Sequence, residues 1–163
     1  MDTETDAGTN GRMNDYVVSE SRVIAAPASA IFVLLADPSK HASFDGSGTV
    51  QNARPGAPER LTLGSRFGMD MRIGVPYRIA NTVVEFEPDR QIGWKHFGGH
   101  VWRYLLEPTT TADGAAATRV TEQFDWSTAK SRLYIRLSGF PARNRKAIIA
   151  TLERLDSLAT PGT

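Results

Sequence analysis

The sequence predicts an α+β domain: a curved antiparallel sheet of about six to seven strands wrapped around a long C-terminal helix, with two short helices after the first strand. Three observations predict it. Apolar and polar residues alternate with period two through most of residues 65–126, and the alternation is interrupted by the turn signals Pro88-Asp89, Gly98-Gly99 and Asp113-Gly114. From Pro141 the period becomes helical, with Ile148, Leu152, Leu155 and Ala159 on one stripe. The chain of 163 residues, 40% hydrophobic and 23% charged, matches one ordinary globular domain.

The elements follow in order. Residues 16–24 are β-branched and alternating, which predicts a strand. Pro27 suits the start of a helix, because its fixed φ is helical and its missing N–H has no partner there anyway; Ile31, Leu34 and Leu35 then share a face. Asp37-Pro38 repeats the device and opens a second short helix to about Ser43. The stretch 45–64 is rich in Gly and Pro; it is expected to hold short strands at 49–53 and 59–62, and Asp45-Gly46-Ser47-Gly48 is expected to be a turn. Strands are predicted at 65–73, 77–86, 91–97, 100–107 and 117–126, with a polar loop at 109–116. Residues 127–138 are expected to be helical, Gly139 to end that helix, and 141–158 to form the long one. Eighteen helical residues reach about 27 Å, enough to cross a sheet.

Composition excludes several classes. Without cysteine there is no disulfide, thiolate metal site or Cys nucleophile. A net charge of +1 makes no case for nucleic acid. No run of 18 apolar residues is present, so stable membrane insertion is not expected. Residues 1–14 are polar and acidic, unlike a secretory signal, and are read as a disordered tail before a domain at 15–160; the cytoplasm is the expected location. Nucleophile-elbow, P-loop and dinucleotide fingerprints are missing, and no cofactor is expected. A monomer or homodimer is expected.

A sheet curved around a helix encloses space, and alternation proposes what faces it. One row is Phe67, Met69, Met71 and Ile73; others are Trp94 with His96, His100 with Trp102, Tyr104 and Leu106, and Val120 with Glu122, Phe124 and Trp126. Tyr77 on the next strand and Phe140 before the long helix join the candidate ligand contacts, and Phe140 with Tyr134 and Leu137 is a candidate lid. Glu122 shares its face with apolar residues: if inward, burial raises its pKa and makes it a general acid or a ligand anchor, unless Arg119, Arg103 or a histidine answers it. His96 is the second candidate acid or base. His96 and His100 flank Gly98-Gly99 without H-x-H or H-E-x-x-H spacing, so no metal site is expected. Seven Lys or Arg against Glu153 and Asp156 make residues 127–163 basic.

Several stretches then carry a family resemblance: Ser21-Arg22-Val23-Ile24-Ala25-Ala26-Pro27 with Ile31 to Asp37, Val83-Val84-Glu85-Phe86-Glu87-Pro88-Asp89-Arg90 with Ile92-Gly93-Trp94, Trp102-Arg103-Tyr104-Leu105-Leu106-Glu107-Pro108, and Thr118-Arg119-Val120-Thr121-Glu122. From about Val17 to Leu158 the chain resembles the START-like, Bet v 1-like (SRPBCC) superfamily, and within it the polyketide cyclase/dehydrase group. The resemblance implies the helix-grip fold and a hydrophobic small-molecule ligand (lipid, isoprenoid or polyketide) between sheet and C-terminal helix. It leaves two alternatives: a cyclase/dehydratase-type enzyme using Glu122 or His96, and a module docking a membrane or partner through the basic C-terminal helix. It departs from the Bet v 1 branch in its short 45–48 loop, which is too small to argue a phosphate cradle.

Overall fold

The computed structural model describes residues 15–160; the tail expected at 1–14 lies outside them. Seven strands form one antiparallel sheet: β1 (Val17–Ile24), β2 (Val50–Ala53), β3 (Arg66–Ile73), β4 (Val75–Glu87), β5 (Gln91–His96), β6 (Val101–Thr110) and β7 (Ala116–Asp125), in the order β1-β7-β6-β5-β4-β3-β2. β2 to β7 make a meander, and β1 closes onto β7 from the other end of the chain. The helices are α1 (Ala28–Ala36), α2 (His41–Phe44), α3 (Arg132–Leu137) and α4 (Phe140–Ala159). The sheet curls into a half-barrel around α4, which is the helix-grip architecture.

Local chemistry explains the boundaries. Asp37 Oδ1 accepts the Ser39 N–H at 2.9 Å and starts a 3₁₀ turn over Pro38–Lys40 that runs into α2. The Asp45 turn is held by its own carboxylate, which accepts from Ser47, Thr49 and Val50. Gly46 lies against α4, where a Cβ would stand 2.2 Å from the Ala147 carbonyl oxygen; its N–H donates to Thr151 Oγ1 at 2.9 Å.

Three expectations are corrected. Residues 59–62 form no strand: the Leu61 N–H donates to the Ala36 carbonyl at the end of α1, and the leucine side chain is a fully buried plug. Of the helix expected at 127–138, only Arg132–Leu137 forms. The residues before it spend their polar groups on the β5–β6 turn, with Thr128 Oγ1 donating to the Gly99 carbonyl at 2.7 Å and the Lys130 N–H to that of Gly98 at 2.9 Å. The loop between β6 and β7 is also shorter than predicted, because the ladder continues to Thr110↔Ala116.

One end of the grip is solid. Ile31, Phe32 and Leu35 of α1, Leu152 and Leu155 of α4, and Ile24, Ile92 and Val120 of the sheet are buried together there. Two ion pairs fasten α4 to the edge strand: Arg22 to Asp156 at 2.7 Å, and Arg145 to Glu20. Towards the N-terminus of α4, the sheet and helix part.

Candidate functional site

Where they part lies a cavity of about 960 Å³. Its floor and walls are the concave sheet face; its other sides are α2, the 45–49 turn, α3 and the first half of α4. The structure brings all eleven sequence-proposed residues to it. Phe67, Met69 and Met71 come from β3 and Tyr77 from β4; Trp94 and His96 come from β5. Trp102 and Tyr104 come from β6, Glu122 and Phe124 from β7, and Phe140 from the first turn of α4. Tyr77 stands at the exposed mouth beside Ile73, which the alternation placed inward but which is 49% exposed at the hairpin tip. Among the lid candidates, Tyr134 and Phe140 make an edge contact at 5.9 Å across Gly139, whose φ of 73° turns the chain from α3 into α4. Leu137 points away and is 76% exposed.

The buried acid is the most telling feature. Tyr104 and Glu122 are direct neighbours across the β6–β7 ladder, so their side chains share the concave face. The Tyr104 hydroxyl donates to Glu122 Oε1 at 2.9 Å, while Oε2, equally buried, has no partner among the described residues. Burial pushes the Glu122 carboxyl well above the usual carboxylate range, against the opposing pull of the Tyr104 hydrogen bond. Burial, with Glu122 beside it, also raises Tyr104, which keeps its proton. Of the partners the sequence left open, Arg103 lies on the other face of the sheet in an ion pair with Glu85, and neither Arg119 nor a histidine bonds the acid. Burial therefore favours the protonated form of Glu122, and with Oε1 accepting from tyrosine, Oε2 is the oxygen free to carry that proton.

Burial disfavours charge on the histidines too. Burial lowers His96, and burial together with His96 lowers His100 to about 4. Their rings stack at 4.5 Å, and His96 Nδ1 accepts the Gly98 N–H at 3.2 Å. No group of three or more His, Asp or Glu among the described residues is arranged to hold a metal.

Three buried polar residues in the cavity wall escaped the sequence reading. His41 of α2 donates Nε2–H to the Leu35 carbonyl at 2.9 Å, stacks on Trp94 at 4.9 Å, and is held by burial at a pKa of about 4. That leaves Nδ1 as an acceptor. Asn81 and Thr151 are 4% and 3% exposed and also line the cavity. Asn81 follows Tyr77 and Ile79 in the alternation of β4, and Thr151 lies between Ile148 and Leu155 on the α4 stripe, so both were open to the same reasoning. His41, on a helix of four residues, was not.

The seven Lys and Arg of the C-terminal segment are all exposed. Lys130, Arg143 and Lys146 line the mouth of the cavity, Arg154 donates to the Asp45 carbonyl, and Arg132 lies over the Tyr16 ring at 5.2 Å. Among the described residues no helix is long and apolar enough to cross a membrane.

Comparison with solved structures gives the class. The AHSA1-like protein of Aeromonas hydrophila superposes with a TM-score of 0.57 at 17% identity, covering 86% of this chain and 90% of that one. The KanY protein gives 0.63 at 12% identity, over 86% and 94%. The polyketide-cyclase-like protein Cgl2372 of Corynebacterium glutamicum gives 0.52 at 19%, over 88% and 89%. The chain shares with these structures the helix-grip fold, a likeness of fold alone. No family model matches the sequence. Two uncharacterized Mycobacterium tuberculosis proteins, Rv0088 of strain H37Rv and MT0096 of strain CDC 1551, are each 39% identical to it over 143 residues. The match covers 85% of this chain, which spans 62% of the length of those relatives.

Proposed function

We propose that this chain binds a hydrophobic small molecule of the lipid, isoprenoid or polyketide class in the cavity between the sheet and α4. The observation that carries the reading is the cavity itself: it is walled by methionines and aromatic rings, and its deepest polar groups are neutral. Such a wall rewards apolar burial at about 25 cal/mol per Å², so a ligand losing about 300 Å² of apolar surface gains about 7 kcal/mol before the costs of association. Methionines 69 and 71 adapt the wall to irregular shapes. Glu122 Oε2–H and His41 Nδ1 offer one donor and one acceptor to orient a ligand oxygen.

The test is native mass spectrometry of protein purified from its own host, with identification of what denaturation releases. A defined apolar adduct, absent from the cavity-filling Met71→Trp variant, is the expected result. A bare mass that persists after incubation with lipid and polyketide panels would overturn the reading.

The neutral acid favours one second reading, a cyclase/dehydratase-type enzyme in which the cavity folds a substrate and Glu122 supplies the proton. His96 suits that role less well, because its Nδ1 is already taken by Gly98 and burial keeps its ring neutral. In that case Glu122→Gln abolishes turnover and retains binding.

A further inference from the structure

We propose that the mouth of the cavity recognises an anionic group, so that the ligand is an apolar chain ending in a carboxylate or phosphate, seated with its charged end outward. This rests on the cavity being a ligand site, and adds the chemistry of the ligand's polar end.

The charges around the cavity are distributed unevenly. Lys130, from the segment before α3, and Arg143 and Lys146, from the first two turns of α4, line it at the mouth. None of the three forms an ion pair with a carboxylate among the described residues. Arg143 Cζ lies over the Phe140 ring, 4.8 Å from its centre, a contact that steadies the guanidinium. Across the mouth, the same arginine acts electrostatically on the Tyr77 hydroxyl. The carboxylate available there is Asp45, and it is already committed to its own turn, accepting from the Ser47 hydroxyl and from the N–H groups of Ser47, Thr49 and Val50. Its charge offsets one cation of the three.

The helix adds to the same sign. The twenty residues of α4 begin at the mouth with no acidic residue in the first turn and no side-chain cap, so the positive end of its dipole is unanswered. Deeper in, the polar atoms are of another kind. Burial disfavours charge on Glu122, His41 and His100 alike, so the floor offers no cation to an anion. Between mouth and floor the wall is Phe67, Met69, Met71 and Trp94. A wholly apolar ligand would leave the three cations without purpose, and a polar one would waste the wall. An apolar chain with one anionic end satisfies both.

The experiment compares hexadecanoate, hexadecyl phosphate, hexadecanol and methyl hexadecanoate on delipidated protein, read by the fluorescence of Trp94 and Trp102. Both anions are expected to bind about tenfold more tightly than the alcohol and the ester. The double variant Arg143→Gln/Lys146→Gln is expected to remove that advantage and leave the alcohol unchanged. Equal affinity for all four, or equal loss for all four in the variant, would overturn the anionic mouth and leave apolar-ligand binding standing. Anion binding that survives Met71→Trp would place it on the outer surface and overturn the inference likewise. Failure of all four to bind would count against the cavity as a ligand site, a different failure.

Discussion

Two carboxylates on opposite faces of this sheet live in opposite conditions. On the convex face, Arg103 forks onto Glu85, with Nε at 2.5 Å from Oε2 and Nη2 at 2.6 Å from Oε1. Gln91 also donates to Glu85, Arg103 Nη1 donates to Gln123, and Asp125 lies 3.5 Å from that nitrogen. The pair crosses over β5 at Gly93, the ladder partner of both Glu85 and Arg103, and a Cβ there would stand 2.8 Å from Glu85 Oε2. On the concave face, Tyr104 and Glu122, each one residue along from a member of that network, hold a single hydrogen bond and an unanswered oxygen. Arg103 and its hydrogen bonds hold Glu85 below the usual carboxylate range, whereas burial holds Glu122 above it. A fully partnered network serves the sheet. A buried acid left half-partnered costs stability, and a ligand is the natural claimant of its free oxygen.

The largest effect expected from breaking this contrast comes from the convex side. Arg103→Met leaves Glu85 and Asp125 partly buried without their cation and should destabilise the fold by about 2–3 kcal/mol, measured by chemical denaturation, with ligand affinity unchanged. Loss of affinity alongside stability would show that the two faces are not independent.

The next effect is one of pH. Glu85, with a lowered pKa, contributes stability that is present above the ordinary carboxylate range and lost as pH falls through its folded value. His41 and His100, lowered from 6.5 to about 4, lose theirs as pH falls from about 6.5 to about 4. Glu122 runs the other way: its folded form holds the proton longer than the unfolded chain does, so its contribution is largest in acid and declines as pH rises. Relative to the parent, Glu122→Gln should therefore gain stability with rising pH, at a limiting slope of about 1.4 kcal/mol per pH unit above the carboxylate range. A pH-independent difference between the two proteins would mean that Glu122 titrates as it does in the unfolded chain.

Much of this contrast was legible before the fold was known, because alternation sorts residues by face. It placed Trp94, Tyr104, Glu122 and Phe124 on inward faces, but left Arg103 open as a partner for Glu122. It did not supply the Tyr104–Glu122 bond, since register between strands depends on turn lengths and bulges such as the shift between Val83 and Glu85. Nor did it find His41: four helical residues are too few for a period, and its partner is a backbone carbonyl in the last turn of α1. The segments at 59–62 and 127–131 misled for a shared reason. Their composition allowed regular structure, but their N–H groups and hydroxyls found carbonyls on distant elements instead.

The smallest expected effect separates burial from mere pairing. Arg22 meets Asp156 at 2.7 Å, closer than Arg103 approaches Asp125, yet the arginine is 44% exposed whereas Arg103 is 19% exposed. Distance does not separate the two arginines, since Arg103 also meets Glu85 at 2.5 Å. Solvent does: an exposed pair gains little in high dielectric and loses side-chain entropy, so Arg22→Ala should cost about 0.5 kcal/mol, and still less at about 1 M salt, where the screening length is about 3 Å. The Arg103→Met deficit should persist at that salt, because its carboxylates are shielded from mobile ions. If the two deficits fell together, the convex network would be a surface feature like any other, and half-partnering at Glu122 would lose the reference that makes it stand out.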